Sequence, residues 1–600
     1  MKKLLLTNNS IFVDYDYDVI FTDSPFVVEK YNHVKYLNDL LDNEYHSKID
    51  DVREKGNRIN KKIIEEFFFA YKNESISIFD VNEGYTNIFI NVYKLLKLIN
   101  LYPEHEITIA VTTDELYDYT SLNLIDRFVN AYYWITEISN IQNIKLVCKD
   151  LKRDDLIQDH MPMDSVFLRL VDLDKKVLFF NLKKLLKLNK KKENILVYKK
   201  SNVIREIEPY MYDLGFNFVS MPKLNTKFHK ELDRNNEKKI HKIIDESLDN
   251  NILENTFKFP LYAIYKKIVK IYLNQEIYLD EYISKLNKNI KLVVTNTIFD
   301  FDRLILKKKL QANGYKIIVV LHGLTENYKR KLDLYGRKYS DFDMLLCFNK
   351  SEKKHFQEYD SKLLVRHIST VQESKNPRFK NFKRFLVNRK LKIKDKINVF
   401  YPSVTWPMNN LTSYNYRPSD EIMYNYEKKL LKLLSHINKR VIFKCYPRRN
   451  YIDSNPINEY AKKLDNIKVI EGDFDFRYVS SIGDVFIITV LGSTSTLKWM
   501  INLGKPIIYL HSNKSEFITK ESLNMTKKFL IFIDRDNYNW EDNLKGILDK
   551  PYNELNKLWE NKKSDRDKYD DEWLTGKDLH AGKLGAGHIN EFISQNFKNR

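Results

Sequence analysis

Gly492 is followed by four consecutive small hydroxyl residues, Ser493, Thr494, Ser495 and Thr496, and a run of this kind can hold an anion. Glycine lets the backbone turn sharply. Hydroxyls at a helix start then join the unsatisfied N–H groups and the positive end of the helix dipole around a phosphate or carboxylate. The competing reading is a well-capped crossover helix, for which one hydroxyl would suffice. Lys444, Arg448 and Arg449 form a second candidate. Two adjacent guanidinium forks suit a diphosphate, although they could equally be surface charge. His322, next to Gly323, could act as a general base or hydrogen-bond a hydroxyl, with Glu326 as its substitute, or it could be structural. Glu471, in Glu471-Gly472-Asp473, could accept from ribose hydroxyls, although that tripeptide also reads as a turn.

Each candidate lies in the last residues of, or just after, a segment that reads as a buried strand. Asp484 to Val490 is an apolar, β-branched run, and a second, IIYL, opens after Lys505-Pro506. A helix fits between them, with Gly504 where a helix C-terminus needs positive φ. Further strands are expected at 397–405, 440–447, 467–472 and 529–534. Between them lie a helix capped by Ser419, with Tyr426, Leu430, Leu433, Leu434 and Ile437 at helical spacing, and another near 456–465. The same rhythm appears earlier, at 75–81, 106–112, 144–150, 194–200, 216–221, 290–296 and 316–323. Alternating strands and helices predict α/β winding with parallel sheets, whose ligands sit at strand carboxyl ends.

The domain plan follows from length and charge. A chain of 600 residues with 43% hydrophobic content forms at least two domains. The expected border lies in 375–396, which carries ten Lys and Arg against the single acid Asp395. We expect a Rossmann-like domain over 1–385 with a helical insertion near 226–288, a second over 386–575, a cleft between them and a helical tail over 576–600. Three cysteines, Cys148, Cys347 and Cys445, lie far apart, so neither a disulfide framework nor a zinc site is indicated and a reducing cytoplasm fits. The N-terminus meets polar and acidic residues too soon for a signal peptide, and no apolar run approaches about 18 residues.

A net charge of +19 favours anionic partners, and basic pieces such as 183–188 and the 375–396 linker suggest attachment to an anionic membrane surface. No cofactor is expected. The pairs Asp14 with Asp16 and Asp473 with Asp475 are common spacings in an acid-rich chain, so no metal is assigned.

Residues 290–515 resemble the GT-B glycosyltransferases, in particular the bacterial capsule and teichoic-acid enzymes that include CDP-glycerol glycerophosphotransferases and CMP-ulosonic-acid transferases. The matching residues are His322-Gly323, then Tyr401-Pro402-Ser403-Val404-Thr405-Trp406, then Gly492 to Thr496 with Gly504-Lys505-Pro506-Ile507-Ile508. The resemblance implies two Rossmann-like domains facing a cleft. It also implies transfer of a sugar or polyol-phosphate from a nucleotide-activated donor, such as a CDP- or CMP-linked one, to a hydroxyl of a polysaccharide or lipid-linked acceptor. Thr405, Tyr446 and Gly492 to Thr496 would then belong to the donor site. Where the family has His-Pro, this chain has Tyr446-Pro447, so the phosphate role passes to Lys444, Arg448 or Arg449. Fixed positive charge would replace a metal at the leaving phosphate. Two other functions fit the same residues. One is a nucleotide-sugar 2-epimerase on this architecture; the other is a non-catalytic protein that binds polyanions or membranes, with no nucleic acid expected.

Overall fold

The computed structural model describes residues 2–40 (except 8–9, 14–15, 23 and 32), 54–67 (except 57 and 60), 93–112, 144–149, 180, 193–198, 201–221, 231–249, 252–286, 290–296, 301–321, 342–359, 361–368, 384–389, 397–403, 420–445, 456–470, 476–489, 496–513, 520–574 and 580–597. Within them lie three sheets. The first contains β1 (Lys2–Thr7), β2 (Val19–Thr22), β3 (Val34–Tyr36), β4 (His105–Thr112) and β5 (Ile144–Lys149), in the order β3-β2-β1-β4-β5. The second contains β6 (Glu193–Val197), β7 (Phe216–Ser220), β8 (Leu292–Thr295), β9 (Lys316–Val320), β10 (Met344–Cys347) and β11 (Leu364–His367), in the order β11-β10-β9-β8-β6-β7. The third contains β12 (Asn398–Pro402), β13 (Arg440–Lys444), β14 (Ile467–Ile470), β15 (Val485–Ile488), β16 (Ile507–His511) and β17 (Ile531–Asp534), in the order β14-β13-β12-β15-β16-β17.

Every strand pair described is parallel. Parallel neighbours need crossover connections of one hand, so a sheet whose strand order reverses carries helices on both faces. The order reverses between β1 and β4, between β6 and β8, and between β12 and β15. The chain is therefore a doubly wound α/β protein, as its alternating pattern predicts. Residues 1–385 hold two of the three sheets, where the sequence reading counts one wound unit. Strands β1, β2, β3, β10 and β11 were not anticipated, and the expected strand at 75–81 lies outside the described residues.

The helices used below are α1 (Pro25–Lys30), α2 (Asn202–Asp213), α3 (Arg234–Asp245), α4 (Ile252–Ser284), α5 (Phe301–Ala312), α6 (Asp420–Ser435), α7 (Pro456–Lys462), α8 (Thr496–Leu503) and α9 (Ala581–Phe597). Helices α3 and α4 fill the charge-rich region 226–288. Helix α9, from the C-terminal tail, returns to the second sheet and packs on α2. Its backbone comes so near that a Cβ on Gly582 would stand 2.5 Å from the Glu206 carbonyl oxygen, and one on Gly585 2.6 Å from Ile207 Cδ1. Helix α1 of the first sheet packs on α6 and α7 of the third, where Lys428 meets Glu29 at 2.7 Å. The basic linker is anchored through Arg384, whose Nη1 and Nη2 donate to both oxygens of Asp484 at 2.7 and 3.0 Å. Asp484 also accepts from Asn398 N at 3.0 Å. This fork holds the linker at the amino edge of the third sheet.

Candidate functional site

Three neighbouring strands of the third sheet, β13, β12 and β15, end side by side where the strand order reverses. In open α/β sheets the crevice outside such carboxyl ends is the usual ligand site. The register fixes what stands there. Lys444, last in β13, is flanked by Pro402 of β12 and Ile470 of β14. Ser403, directly after β12, donates its N–H to the Lys444 carbonyl at 2.8 Å. Thr489 follows β15, and α8 begins at Thr496, the last residue of the hydroxyl run. Gly504 closes α8 with a φ of 67°, the left-handed conformation expected of it, and donates its N–H to the Ile501 carbonyl at 3.0 Å.

Of the residues singled out by sequence, the structure describes Lys444 and Thr496. Lys444 is buried, with Nζ 3.3 Å from the Cys445 carbonyl oxygen, and Thr496 is half-buried at the first position of α8. His322, Glu326, Thr405, Tyr446, Arg448, Arg449, Glu471, Gly492, Ser493, Thr494 and Ser495 lie outside the described residues, as do Ser419 and the basic piece 183–188. Most of them follow a described strand end within a few residues: Leu321 after β9, Ser403 after β12, Cys445 after β13, Ile470 in β14 and Thr489 after β15.

Sequence reasoning missed the polar network beneath this edge. Glu427 is buried on α6 and accepts hydrogen bonds from the Tyr401 hydroxyl at 3.1 Å and from the Ser403 hydroxyl. Burial, with Glu427 beside it, pushes the Tyr401 phenol well above its usual range, while the nearby Thr489 acts the other way. The network thus joins β12 to α6. Its signal was present in the sequence: Glu427 shares a helical stripe with the buried Met423, Tyr424, Leu430, Leu431 and Leu434, and an acid in such a stripe needs internal donors. At the end of β17, the Arg535 guanidinium lies 3.5 Å from the centre of the Tyr426 ring.

His511, at the end of β16, is 1% exposed. Its Nε2 lies 3.2 Å from Asn513 Oδ1 and its Nδ1 2.8 Å from the Tyr509 hydroxyl. The amide oxygen can only accept, so Nε2 carries the proton and Nδ1 accepts from tyrosine. Burial holds this imidazole below its ordinary pKa, against the opposing hydrogen bond to Asn513. His367 and His588 are shifted the same way, burial again being the largest cause. His511 is a neutral, internally satisfied group rather than an available base.

Buried Lys444 of β13 and Ser403 after β12 thus lie at the carboxyl edge of the third sheet, on the side of its reversal opposite β15, whose chain leads on to α8. No protein-family model matches the chain, and no curated protein matches it. Among solved structures, it is similar to HepE of Anabaena in complex with UDP-glucose, at 10% identity and TM-score 0.36, covering 67% of this chain and 99% of that one. It is also similar to a glycosyltransferase from Rickettsia africae ESF-5, at 15% identity and TM-score 0.37, covering 68% of this chain and 100% of that one. A third similar structure is a UDP-forming α,α-trehalose-phosphate synthase from Burkholderia xenovorans, at 8% identity and TM-score 0.37, covering 68% of this chain and 99% of that one.

Proposed function

We propose that this protein is a glycosyltransferase of the GT-B kind, moving a sugar or polyol-phosphate from a nucleotide-activated donor to a hydroxyl of a surface-polysaccharide or lipid-linked acceptor. The observation that carries the reading is the reversal of strand order between β12 and β15, at which the Gly492 to Thr496 run leads into α8 and buried Lys444 ends the strand on the other side of β12. On this reading the donor diphosphate is held by the start of α8 with Lys444, Arg448 and Arg449. Their fixed charge, aimed where the leaving phosphate gains negative charge, supplies the stabilisation that a metal would otherwise provide. His322 takes the acceptor's proton, with Glu326 as its substitute.

The Glu427 network supports the same reading. A carboxylate that accepts from Tyr401 and Ser403 ties α6 to the floor of the crevice, so the edge is formed before any ligand arrives. Preorganised dipoles need no rearrangement during the reaction. Among the described residues no helix is long and apolar enough to cross a membrane. We propose peripheral attachment to an anionic lipid surface through basic segments as the route to a lipid-linked acceptor.

A thermal-shift panel of CMP, CDP, UDP, GDP and ADP compounds tests the proposal. A nucleotide at about 100 times its Kd should stabilise the fold by about 2.7 kcal/mol. The best nucleotide then selects the activated donors for product analysis. Transfer to an added acceptor supports the proposal, whereas a sugar isomer formed without an acceptor would support the epimerase instead. Stabilisation by every polyanion alike, lost with rising salt, would leave a binding protein.

A further inference from the structure

The first sheet has no role in the transfer reading, yet the segments around it hold both of the other sheets. Between β3 and β4 the chain passes through 54–67, where Lys55 meets Asp249 at 2.7 Å and Glu66 meets Lys239 of α3 at 2.6 Å. Its other hold is on the third sheet. Helix α1 packs on α6 and α7, and Glu29 reaches Lys428 of α6 at 2.7 Å. Lys428 Nζ in turn lies 5.6 Å from the centre of the Tyr424 ring and 5.5 Å from that of Tyr460 on α7. A carboxylate and two ring faces, each favourable to a cation, therefore fix the place of this ammonium. Tyr36, last in β3, belongs to the same contact: burial, with Glu421 of α6 and Glu29 nearby, holds its phenol above the usual range.

Helix α6 is thus held from two directions. Lys428 meets α1, while its neighbour Glu427 accepts from the Tyr401 and Ser403 hydroxyls at the end of β12. Ser403 in turn donates its N–H to the Lys444 carbonyl. A helix moves as a unit, because its backbone hydrogen bonds keep adjacent residues at fixed spacing. A displacement of α6 at Lys428 is therefore passed to the Glu427 carboxylate and to the strand end it braces. A partly exposed ion pair adds little to overall stability. Its effect here is to set where α6 lies.

We infer that Glu29 is a positioning residue for the carboxyl edge of the third sheet, holding α6 through Lys428 so that Glu427 keeps Ser403, and the strand end beside Lys444, in place. The inference rests on the reading of that edge as the nucleotide site. It gives the first sheet a task, which is to brace the site from outside.

The test uses the full chain and the nucleotide that most raises its melting temperature. Titration calorimetry compares the wild type, Glu29→Lys, and the double variant Glu29→Lys with Lys428→Glu, in which the pair is rebuilt with its charges exchanged. Glu29→Lys turns attraction into repulsion and should raise the nucleotide Kd by about threefold or more, and the double variant should return it to within about twofold of wild type. The direction separates positioning from charge, because an added positive charge by itself draws an anion in and would lower Kd. Glu281→Lys breaks the exposed pair with Lys285, carries the same change of charge and should not weaken binding. Hydrogen exchange without nucleotide is the second readout: the β12 and Ser403 amides should exchange faster in Glu29→Lys and at the wild-type rate in the double variant. An unchanged or lower Kd in Glu29→Lys, a raised Kd that the double variant does not restore, or a lower melting temperature with unchanged β12 exchange would each overturn the inference. If the wild type binds no nucleotide, the donor reading falls, and β12 exchange alone decides whether Glu29 holds the edge.

Discussion

Tyr401→Phe should destabilise the third sheet in the native chain and do nothing, or stabilise it, once Glu427 is replaced by Leu. In the wild type the phenol donates to a buried carboxylate at 3.1 Å, and both side chains are fully buried. Losing a hydrogen bond to a charged group costs about 1.5 to 3 kcal/mol. In the Glu427→Leu background the phenol has lost that acceptor, so deleting the hydroxyl should gain about 0 to 1 kcal/mol. The difference is a coupling of about 1.5 to 4 kcal/mol, well above the few tenths expected of independent sites. The influence of the nearby Thr489 on the phenol is removed in both backgrounds and cancels in the cycle. Hydrogen exchange of the β12 amides under native conditions reads the stability of this sheet directly. An equal cost of Tyr401→Phe in the two backgrounds would refute the claim that Glu427 ties α6 to β12.

Gly582→Ala should lower the melting temperature and loosen α9 from α2, because the new methyl would stand 2.5 Å from backbone that cannot give way, whereas Ala at Gly587 meets nothing within 4 Å and should be neutral; calorimetry of the two variants checks this. Stability should fall as pH drops below about 6.5, because His367, His511 and His588 have lowered pKa values and the unfolded chain takes up protons that the folded one refuses. For the fully buried His511 the slope reaches at most about 1.4 kcal/mol per pH unit; His511→Gln should flatten a melting curve measured from pH 8 to 5.5. His322→Asn should leave nucleotide affinity intact and reduce transfer by about 10²- to 10⁴-fold, and near-normal turnover by the folded variant would remove His322 from the mechanism.

The third sheet was the most legible part of the chain. All six of its strands are short, largely apolar runs, two of them, β15 and β16, completely buried, and such runs between helix-length segments have few alternative readings. Gly504 was legible because an α-helix ending at that point requires a residue that tolerates positive φ. The first sheet was harder. β1 begins with two exposed lysines and β3 is only three residues long, so pairing with distant β4, and not local pattern, makes them strands. At the site, Lys444 was readable from its strand-end position. For Glu427 the helical stripe signals burial, but its partners were hidden, since the donors come from β12 and no spacing within α6 reveals them. The Arg384 fork to Asp484 spans 100 residues and was hidden for the same reason.

The central claim is that a nucleotide's phosphates bind where β12, β13 and β15 end. Titration calorimetry with the nucleotide that most raises the melting temperature, on the wild type, Arg448→Ala and Ser495→Val, tests it most directly. The account predicts one-to-one binding to the wild type. It also predicts a loss of about 1.5 to 3 kcal/mol, or about 10- to 150-fold in Kd, on removing the Arg448 guanidinium. Ser495→Val should bind weakly too, because a β-branched apolar group would crowd the anion's approach. Absence of nucleotide binding by the wild type, or unchanged Kd values in both folded variants, would contradict the account.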